Sequence, residues 1–467
     1  MSLDQPHPDI WRRELSFSDT AEAASSLMHV YDCIGIGFGP SNIALAIALE
    51  EIGALDNCLF LEARDCIAWQ PGMLLEGSDI QHNPLRDFVT PRNPRSAYGF
   101  LSYLAAKDRL FEFLNLDAPF PPRIEYAGYV AWVAEQFAHA VRLNVRVDGI
   151  DVVEDPQRGR LLMVSTRSGS YLVRTVSFGP GRSAHIPEVF APHLGPRVVH
   201  LTDYLWSIER WKDEGLKRFV VIGGSQSAAE IVLDLAGRAP DYEITSISRN
   251  FGFKLKDVSP FTERIYMPEF VDYFFEAPED IQHAMTQELW RSNYGAADHD
   301  VIVALQMHLY EQKVSGHERI KILSNQTTNS VSSLPFGDLF LRLTDRCDRS
   351  TCDIYADAVI LATGFQNFGS GEKREAYHPL LKALVPVMRF RADGGVVVKR
   401  DFSLGYASDA GPMPQIFLNG VCEATHGFGD AGSFSLLSTR SAHIAEAIQR
   451  ACRETALPET CHGASPD

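Results

Sequence analysis

Two short stretches, one near the start of the chain and one near its middle, limit what this sequence can fold into. In each, an apolar run enters a small-residue turn and continues as an Ala-, Ile- and Leu-rich segment. The first is YDCIGIGFGPSNIALAIALEE, residues 31–51, and the second is RFVVIGGSQSAAEIVLDLAGR, residues 218–238. An apolar run of this length reads as a buried strand, and the turn leads into a helix. The start of such a helix offers unpaired N–H groups and the positive end of its dipole to a phosphate. Two strand–turn–helix units in one chain predict an α/β protein with two Rossmann-like dinucleotide-binding domains. A small, mostly helical substrate-binding region is expected at their junction, where ligands of open α/β sheets sit.

The details of each turn suggest its ligand. In the first, Gly37 permits the tight turn, Gly39 lets a pyrophosphate approach the backbone, and Asn42 stands where a third glycine is usual. Glu62 follows Gly39 by 23 residues, at the end of the run CLFLEA, where an acid takes the ribose hydroxyls of an adenosine. In the second, Gly223 and Gly224 precede Ser225, Gln226 and Ser227, and the next apolar run, ITSISR, ends in Arg249 instead of an acid. A cation there suits a 2′-phosphate, so NADPH is favoured over NADH, with Lys254 and Lys256 as further cations. Two such sites imply a flavin, FAD, reduced by NADPH. A third apolar run, DAVILATGF, carries Thr363 and is expected to return to the flavin domain. The expected units are an arm over 1–28, an FAD domain over 29–205, an inserted NADPH domain with the helical substrate region over 206–350, the rest of the FAD domain with a C-terminal helix over 351–455, and a tail over 456–467.

Composition narrows the class. With 43 basic and 60 acidic residues the chain carries a formal charge of −17, which disfavours nucleic acid and anionic membranes as partners. No run approaches the roughly 18 apolar residues of a membrane span, and the charged N-terminus lacks a signal-peptide core. The eight cysteines are scattered without a Cys-x-x-Cys, which suggests a reducing cytoplasm, no metal site and no disulfide-reductase chemistry.

Several separated motifs then resemble one family, the flavin-dependent N-hydroxylating monooxygenases of ornithine and lysine in siderophore biosynthesis. They are the flavin turn with Asn42, Trp69-Gln70-Pro71-Gly72-Met73-Leu74, Ile80-Gln81 through Pro84-Leu85-Arg86-Asp87, Pro91-Arg92-Asn93-Pro94-Arg95-Ser96, Phe100-Leu101-Ser102-Tyr103-Leu104, GGSQSAAE, Ser259-Pro260-Phe261, Ser292-Asn293-Tyr294, ATGF and Thr425-His426-Gly427. The resemblance spans about residues 30–450. It implies that NADPH reduces FAD, that molecular oxygen adds to give a C4a-hydroperoxyflavin, and that a neutral side-chain amine attacks it to yield a hydroxylamine. It also implies a small amine or amino-acid substrate and a homo-oligomer of two or four chains. Residue by residue, it implies that Gln81 lies beside flavin and nicotinamide and that Asn293 holds substrate and nicotinamide. Gln226 and Ser227 contact NADPH, Trp69 walls the flavin, and Leu436 approaches it from the C-terminal helix.

The sequence departs from the family on the substrate side. Arg86 stands where ornithine enzymes carry a carboxylate-gripping lysine, and Thr262 where they carry an asparagine. Gln70 replaces a common histidine, and the segment after Gly427 is more glycine-rich. These departures leave ornithine, lysine, an arginine-like or acidic amino acid, or a diamine as the amine, with Arg86 favouring a carboxylate bearer. A broader flavin monooxygenase acting on sulfides or apolar amines, and an inactive flavoprotein that only binds, are the other classes open at this point.

Overall fold

The computed structural model describes residues 29–456. The arm expected over 1–28 lies outside them, as does all but the first residue of the expected tail.

The first sheet begins with β1 (Val30–Ile36), which passes through the glycine turn into α1 (Pro40–Glu51) and returns as β2 (Cys58–Leu61). Residues 42–49 of α1 are buried on every side, so this helix lies inside the domain core and not at its surface. The loops after β2 lead to α2 (Phe100–Ala106), α3 (Leu110–Leu116) and α4 (Arg123–Gln136). The chain then adds β3 (Val141–Arg142) and the meander β4 (Val147–Asp155), β5 (Gly159–Thr166) and β6 (Gly169–Phe178). The strand order is β3-β2-β1-β6-β5-β4. β6 forks: its first half pairs antiparallel with β5, and its second half pairs parallel with a late strand, Gln415–Leu418.

The second sheet opens with β7 (Val198–His200), followed by α5 (Tyr204–Asp213), β8 (Arg218–Ile222), α6 (Gln226–Arg238) and β9 (Glu243–Ile247). The helices α7 (Pro268–Glu276), α8 (Glu279–Glu288) and α9 (His299–Ser315) separate β9 from β10 (Ile320–Leu323). An antiparallel layer of β11 (Gln326–Ser333), β12 (Leu339–Asp345) and β13 (Thr351–Ala356) packs against this sheet, sharing a core of Val198, Val220, Leu341 and Val359. Next comes β14 (Ala358–Leu361), and the second sheet has the order β10-β9-β8-β14-β7.

That order corrects one expectation. The strand leading into Ala362-Thr363-Gly364 belongs to the second sheet, between β8 and β7, and not to the flavin domain. β8 enters a phosphate turn and so lies at the sheet centre, where it needs a partner on each edge. β9 supplies one and β14 the other, and a Cβ at Gly223 would overlap the carbonyl oxygen of Ala362. The strand that does return to the first sheet comes later. After a two-stranded ribbon, β15 (Asn367–Phe368) and β16 (Arg374–Glu375), β17 (Gln415–Leu418) joins β6. A short α10 (Glu423–His426) and α11 (Leu437–Ala456) complete the described chain, with α11 lying along α1.

Candidate active site

The first turn is a cage of buried polar groups. Gly37 has φ +77°, and a Cβ there would come within 2.7 Å of the Gly179 carbonyl oxygen. Glu62 accepts from the backbone N–H of Phe38 at 2.8 Å and of Arg64 at 3.0 Å, so its carboxylate is held against the turn. Asn42, fully buried, donates to the carbonyls of Ile36 and Gly37 and accepts from Ser177 at 2.7 Å and Asn419 at 3.2 Å. All its hydrogen-bonding capacity is used by protein. The Asn42 side chain, standing where a third glycine is usual, therefore shapes the flavin turn. Arg440 of α11 ties the cage shut, donating to Ser41 at 3.0 Å and Asn419 at 3.0 Å and pairing with buried Asp430 at 2.9 Å. A Cβ at Gly39 meets nothing within 4 Å, and the start of α1 has no side-chain cap. Open space above uncapped N–H groups fits a pyrophosphate.

The second turn is open by comparison. Ser225 precedes α6 in extended conformation without capping it, and Ser227 follows in the uncapped first turn. Arg249 stands at the strand end, half-exposed, and pairs with Glu372 at 2.6 Å. The cation beside it is Lys373, whose ammonium is pushed below its ordinary range first by burial and then by Arg249. The sequence reading named Lys254 and Lys256 for this role. Lys256 instead lies near Asp298 and His82, whose ionisation it influences. Nothing in the local sequence marks Lys373, which arrives from the ribbon after β14.

A buried aromatic cluster forms around Phe434. Trp69 packs edge-on against Tyr126 and Phe434, with ring centroids 5.8 and 5.4 Å apart. His82 stacks on Phe434 at 5.6 Å and meets Tyr126 edge-on. His82 Nδ1 lies 2.8 Å from the Ile80 carbonyl, and burial pushes the ring down to about 4, so it is neutral near pH 7 and Nδ1 carries the proton. Its Nε2 is buried without a partner. Phe434, Tyr126 and His82 escaped the sequence reading. Only the glycine-rich segment before Phe434 gave any signal. Leu436 is buried just before α11, within contact of Gly429. Thr363 spends its hydroxyl proton on the His185 carbonyl.

Arg86 borders this cluster, its carbonyl accepting from the Tyr126 hydroxyl at 3.3 Å. Its guanidinium pairs with Glu263 at 3.3 Å, donates to Ser435 at 3.3 Å, and lies over the Tyr266 ring at 5.6 Å. The Tyr266 hydroxyl donates in turn to Asn293 Oδ1 at 3.2 Å. Arg86, Tyr266 and Asn293 are therefore brought together, as the motifs anticipated for the first and third. Thr262 is a correction: its hydroxyl proton is shared between Asp257 at 3.0 Å and the Ser259 carbonyl at 2.9 Å, closing the loop that holds it. The neighbouring residue, Glu263, is the one that meets Arg86. Gln81 has φ +60°, an uncommon region for a non-glycine residue, and its side chain reaches across to Asp298 of the second unit. Conserving the local turn is the work of Asp87, fully buried, which accepts from Val89, Thr90 and Phe100 backbone N–H groups.

Two dinucleotide folds in one chain, each with a turn that leaves helix N–H groups uncapped, define a flavoprotein oxidoreductase that draws electrons from a nicotinamide. A profile of the L-lysine 6-monooxygenase/L-ornithine 5-monooxygenase family matches residues 29–367, and the chain belongs to that family. It is 36% identical over 410 residues to an L-ornithine N(5)-monooxygenase of Burkholderia cepacia, an alignment covering 85% of this chain and 90% of that one. The ornithine N-hydroxylase of Kutzneria sp. 744, solved with reduced FAD, NADP⁺ and L-ornithine, superposes with a TM-score of 0.83 at 30% identity, covering 90% and 99% of the two chains. The L-lysine 6-monooxygenase of Pseudomonas syringae superposes at 0.79 with 33% identity, covering 90% and 99%. The chain is thus an NADPH-dependent, FAD-containing N-hydroxylating monooxygenase that uses molecular oxygen on an amino-acid amine. Among the described residues no helix is long and apolar enough to cross a membrane.

Proposed function

We propose that this enzyme N-hydroxylates the side-chain amine of an ornithine- or lysine-like amino acid, supplying a hydroxylamine for a siderophore or a related natural product. The observation that carries this reading is the Arg86–Glu263 pair beside the aromatic cluster, with Tyr266 and Asn293 behind it. Charges of both signs at one head-group site match a zwitterion. A dicarboxylate or a plain diamine would leave one of them opposed or unpaired.

Bound FAD, reduced by NADPH, supplies the activated oxygen. The chain's own residues do the rest. Arg86 takes the substrate carboxylate in its planar fork, displacing a Glu263 contact that at 3.3 Å is long for a charged pair. Asn293, whose oxygen is held by Tyr266, keeps its amide N–H₂ for the substrate or nicotinamide. Trp69, Tyr126 and Phe434 exclude water. His82, neutral near pH 7, packs on Phe434 and Tyr126 and adds no charge to this wall. Gly37, Gly39, Glu62 and the N–H groups at Leu436 serve FAD; Gly223, Ser225, Gln226, Ser227 and Arg249 serve NADPH. A homo-oligomer belongs to the same reading. Its support is an exposed apolar stripe on α9, Val303, Met307, Tyr310 and Val314, which recur at helical spacing.

The test is aerobic NADPH oxidation by FAD-loaded protein over amino acids, diamines and apolar amines, with hydroxylamine and peroxide both quantified. Hydroxylamine should match NADPH for one amino acid. Peroxide alone for every amino acid would sink the reading. Arg86→Ala should raise the amino-acid KM about tenfold to a hundredfold while leaving anaerobic flavin reduction unchanged. An unchanged KM would remove Arg86 from the site.

A further inference from the structure

The two glutamines assigned to the cofactors come from different units, and one aspartate joins them. Gln81 leaves the flavin unit and donates its side-chain amide to the Asp298 carboxylate. The Asp298 backbone N–H donates to Gln226 Oε1 at 2.7 Å. With its oxygen engaged there, Gln226 directs its Nε2 to Glu230 at 2.9 Å. Glu230 and Arg123 form a buried pair with contacts of 2.8 and 3.1 Å, and Arg123 returns to the flavin unit through the carbonyls of Met73 at 2.9 Å and Asp79 at 3.2 Å. Asp79 then accepts the Gln81 backbone N–H at 2.9 Å, closing the circuit.

This circuit fixes more than distance. Asp298 faces a donor at its carboxylate and offers a donor from its backbone, so both glutamine amides have one orientation each. Gln81 is left with its carbonyl Oε1, an acceptor, without a protein partner among the described residues. Because Gln81 holds φ +60°, its side chain depends on this anchor and not on a relaxed backbone.

We propose that Asp298 is a positioning residue for the reaction. It orients Gln81 so that an acceptor is available to an N–H donor of the bound flavin or nicotinamide, and it holds Gln226 so that the two cofactor units stay in register. The proposal rests on the reading that Gln81 and Gln226 serve the cofactors.

Asp298→Ala, Asp298→Asn and Asp298→Glu would be compared with the parent enzyme as FAD-loaded full-length protein. Six quantities are measured: NADP⁺ affinity by calorimetry, anaerobic flavin reduction by NADPH, the amine KM, the share of NADPH ending as peroxide, FAD content and the unfolding midpoint. Asp298→Ala should slow flavin reduction about tenfold, weaken NADP⁺ about fivefold and raise the peroxide share, with the amine KM unchanged within about twofold. Asp298→Asn, which keeps a neutral side-chain acceptor for Gln81, should lie between Asp298→Ala and the parent; the backbone N–H to Gln226 is present in all three variants. Asp298→Glu should retain coupling better than Asp298→Ala. Loss of FAD and midpoint without a change in NADP⁺ affinity or peroxide share in the remaining holoenzyme would overturn the proposal. If Asp298→Ala does not fold, an Asp298→Asn enzyme with parental NADP⁺ affinity and coupling overturns it equally. Parent enzyme that makes no hydroxylamine would refute the amine-hydroxylation reading, while NADP⁺ affinity and flavin reduction would still decide the role of Asp298.

Discussion

The two phosphate turns share a plan and differ in how they are held. The first is locked from behind by Asn42, Ser177, Asn419 and Arg440, all buried, and from the side by Glu62. The second has an uncapped Ser225 and a half-exposed Arg249, and Gln226 after it is held by Asp298 of its own unit. A satisfied buried polar network is rigid, because any departure strands a donor or acceptor away from water. Such a turn suits a cofactor that stays through turnover. An open turn whose Arg249 is drawn from a salt bridge suits one that enters and leaves.

The largest effect that would break this contrast is expected at Arg440. Arg440→Ala leaves the Asp430 carboxylate buried and unpaired and frees Ser41, so stability should fall by about 3–5 kcal/mol. Thermal unfolding and FAD content of the purified protein check it, and near-parental values for both would mean that the cage does not depend on α11.

Asn42→Ala should lower stability by about 2–3 kcal/mol and weaken FAD binding. Ser225→Ala, the matching change in the open turn, should leave stability within about 0.5 kcal/mol of the parent. Equal losses at the two positions, read by denaturant unfolding, would erase the distinction.

Arg249→Ala should cost about 1–2 kcal/mol of NADPH binding, a rise in KM of about tenfold, with little change for NADH. Initial rates with each nucleotide separate these outcomes. A similar loss for NADH would assign Arg249 to a part of the cofactor that both nucleotides share.

The smallest effect concerns pH. Glu423, wholly buried against Tyr294 and Asn367, is pushed up to about 7, chiefly by burial. The unfolded chain loses this proton near pH 4.5 and the folded chain only near 7, so unfolding releases a proton in that window and stability falls as pH rises through it. Glu423→Gln should remove this slope, gaining on the parent by about 1–3 °C in unfolding midpoint between pH 4.5 and 7 and holding level above. Parallel pH profiles of the two proteins would show that Glu423 is ionised throughout.

Much of the site was legible in short windows. Gly37, Gly39 and Glu62 mark the first turn because each answers a local demand: a positive φ, an open approach, an acid at the next strand end. Arg86, Gln81 and Asn293 were named from motifs, and Arg86 and Asn293 meet through Tyr266. The failures have a common form. Thr262 was chosen by position in a motif, whereas the loop hydrogen bonds turn it inward and present Glu263. Lys254 and Lys256 were chosen for nearness in sequence to Arg249, whereas Lys373 is near it in space. The strand before Thr363 follows the inserted unit in sequence, which points to the flavin sheet, yet edge pairing places it beside β8.

The sequence by itself determined that this chain builds two strand–turn–helix units and where each turn bends. Those properties are set by the backbone preferences and apolar spacing of a few neighbouring residues. Only the tertiary structure decided that Glu263 faces Arg86, that Arg440 seals the flavin turn and that Asp298 joins Gln81 to Gln226. These partners stand up to 399 residues apart, and whether two such side chains meet depends on how whole sheets and helices pack, which no local window encodes.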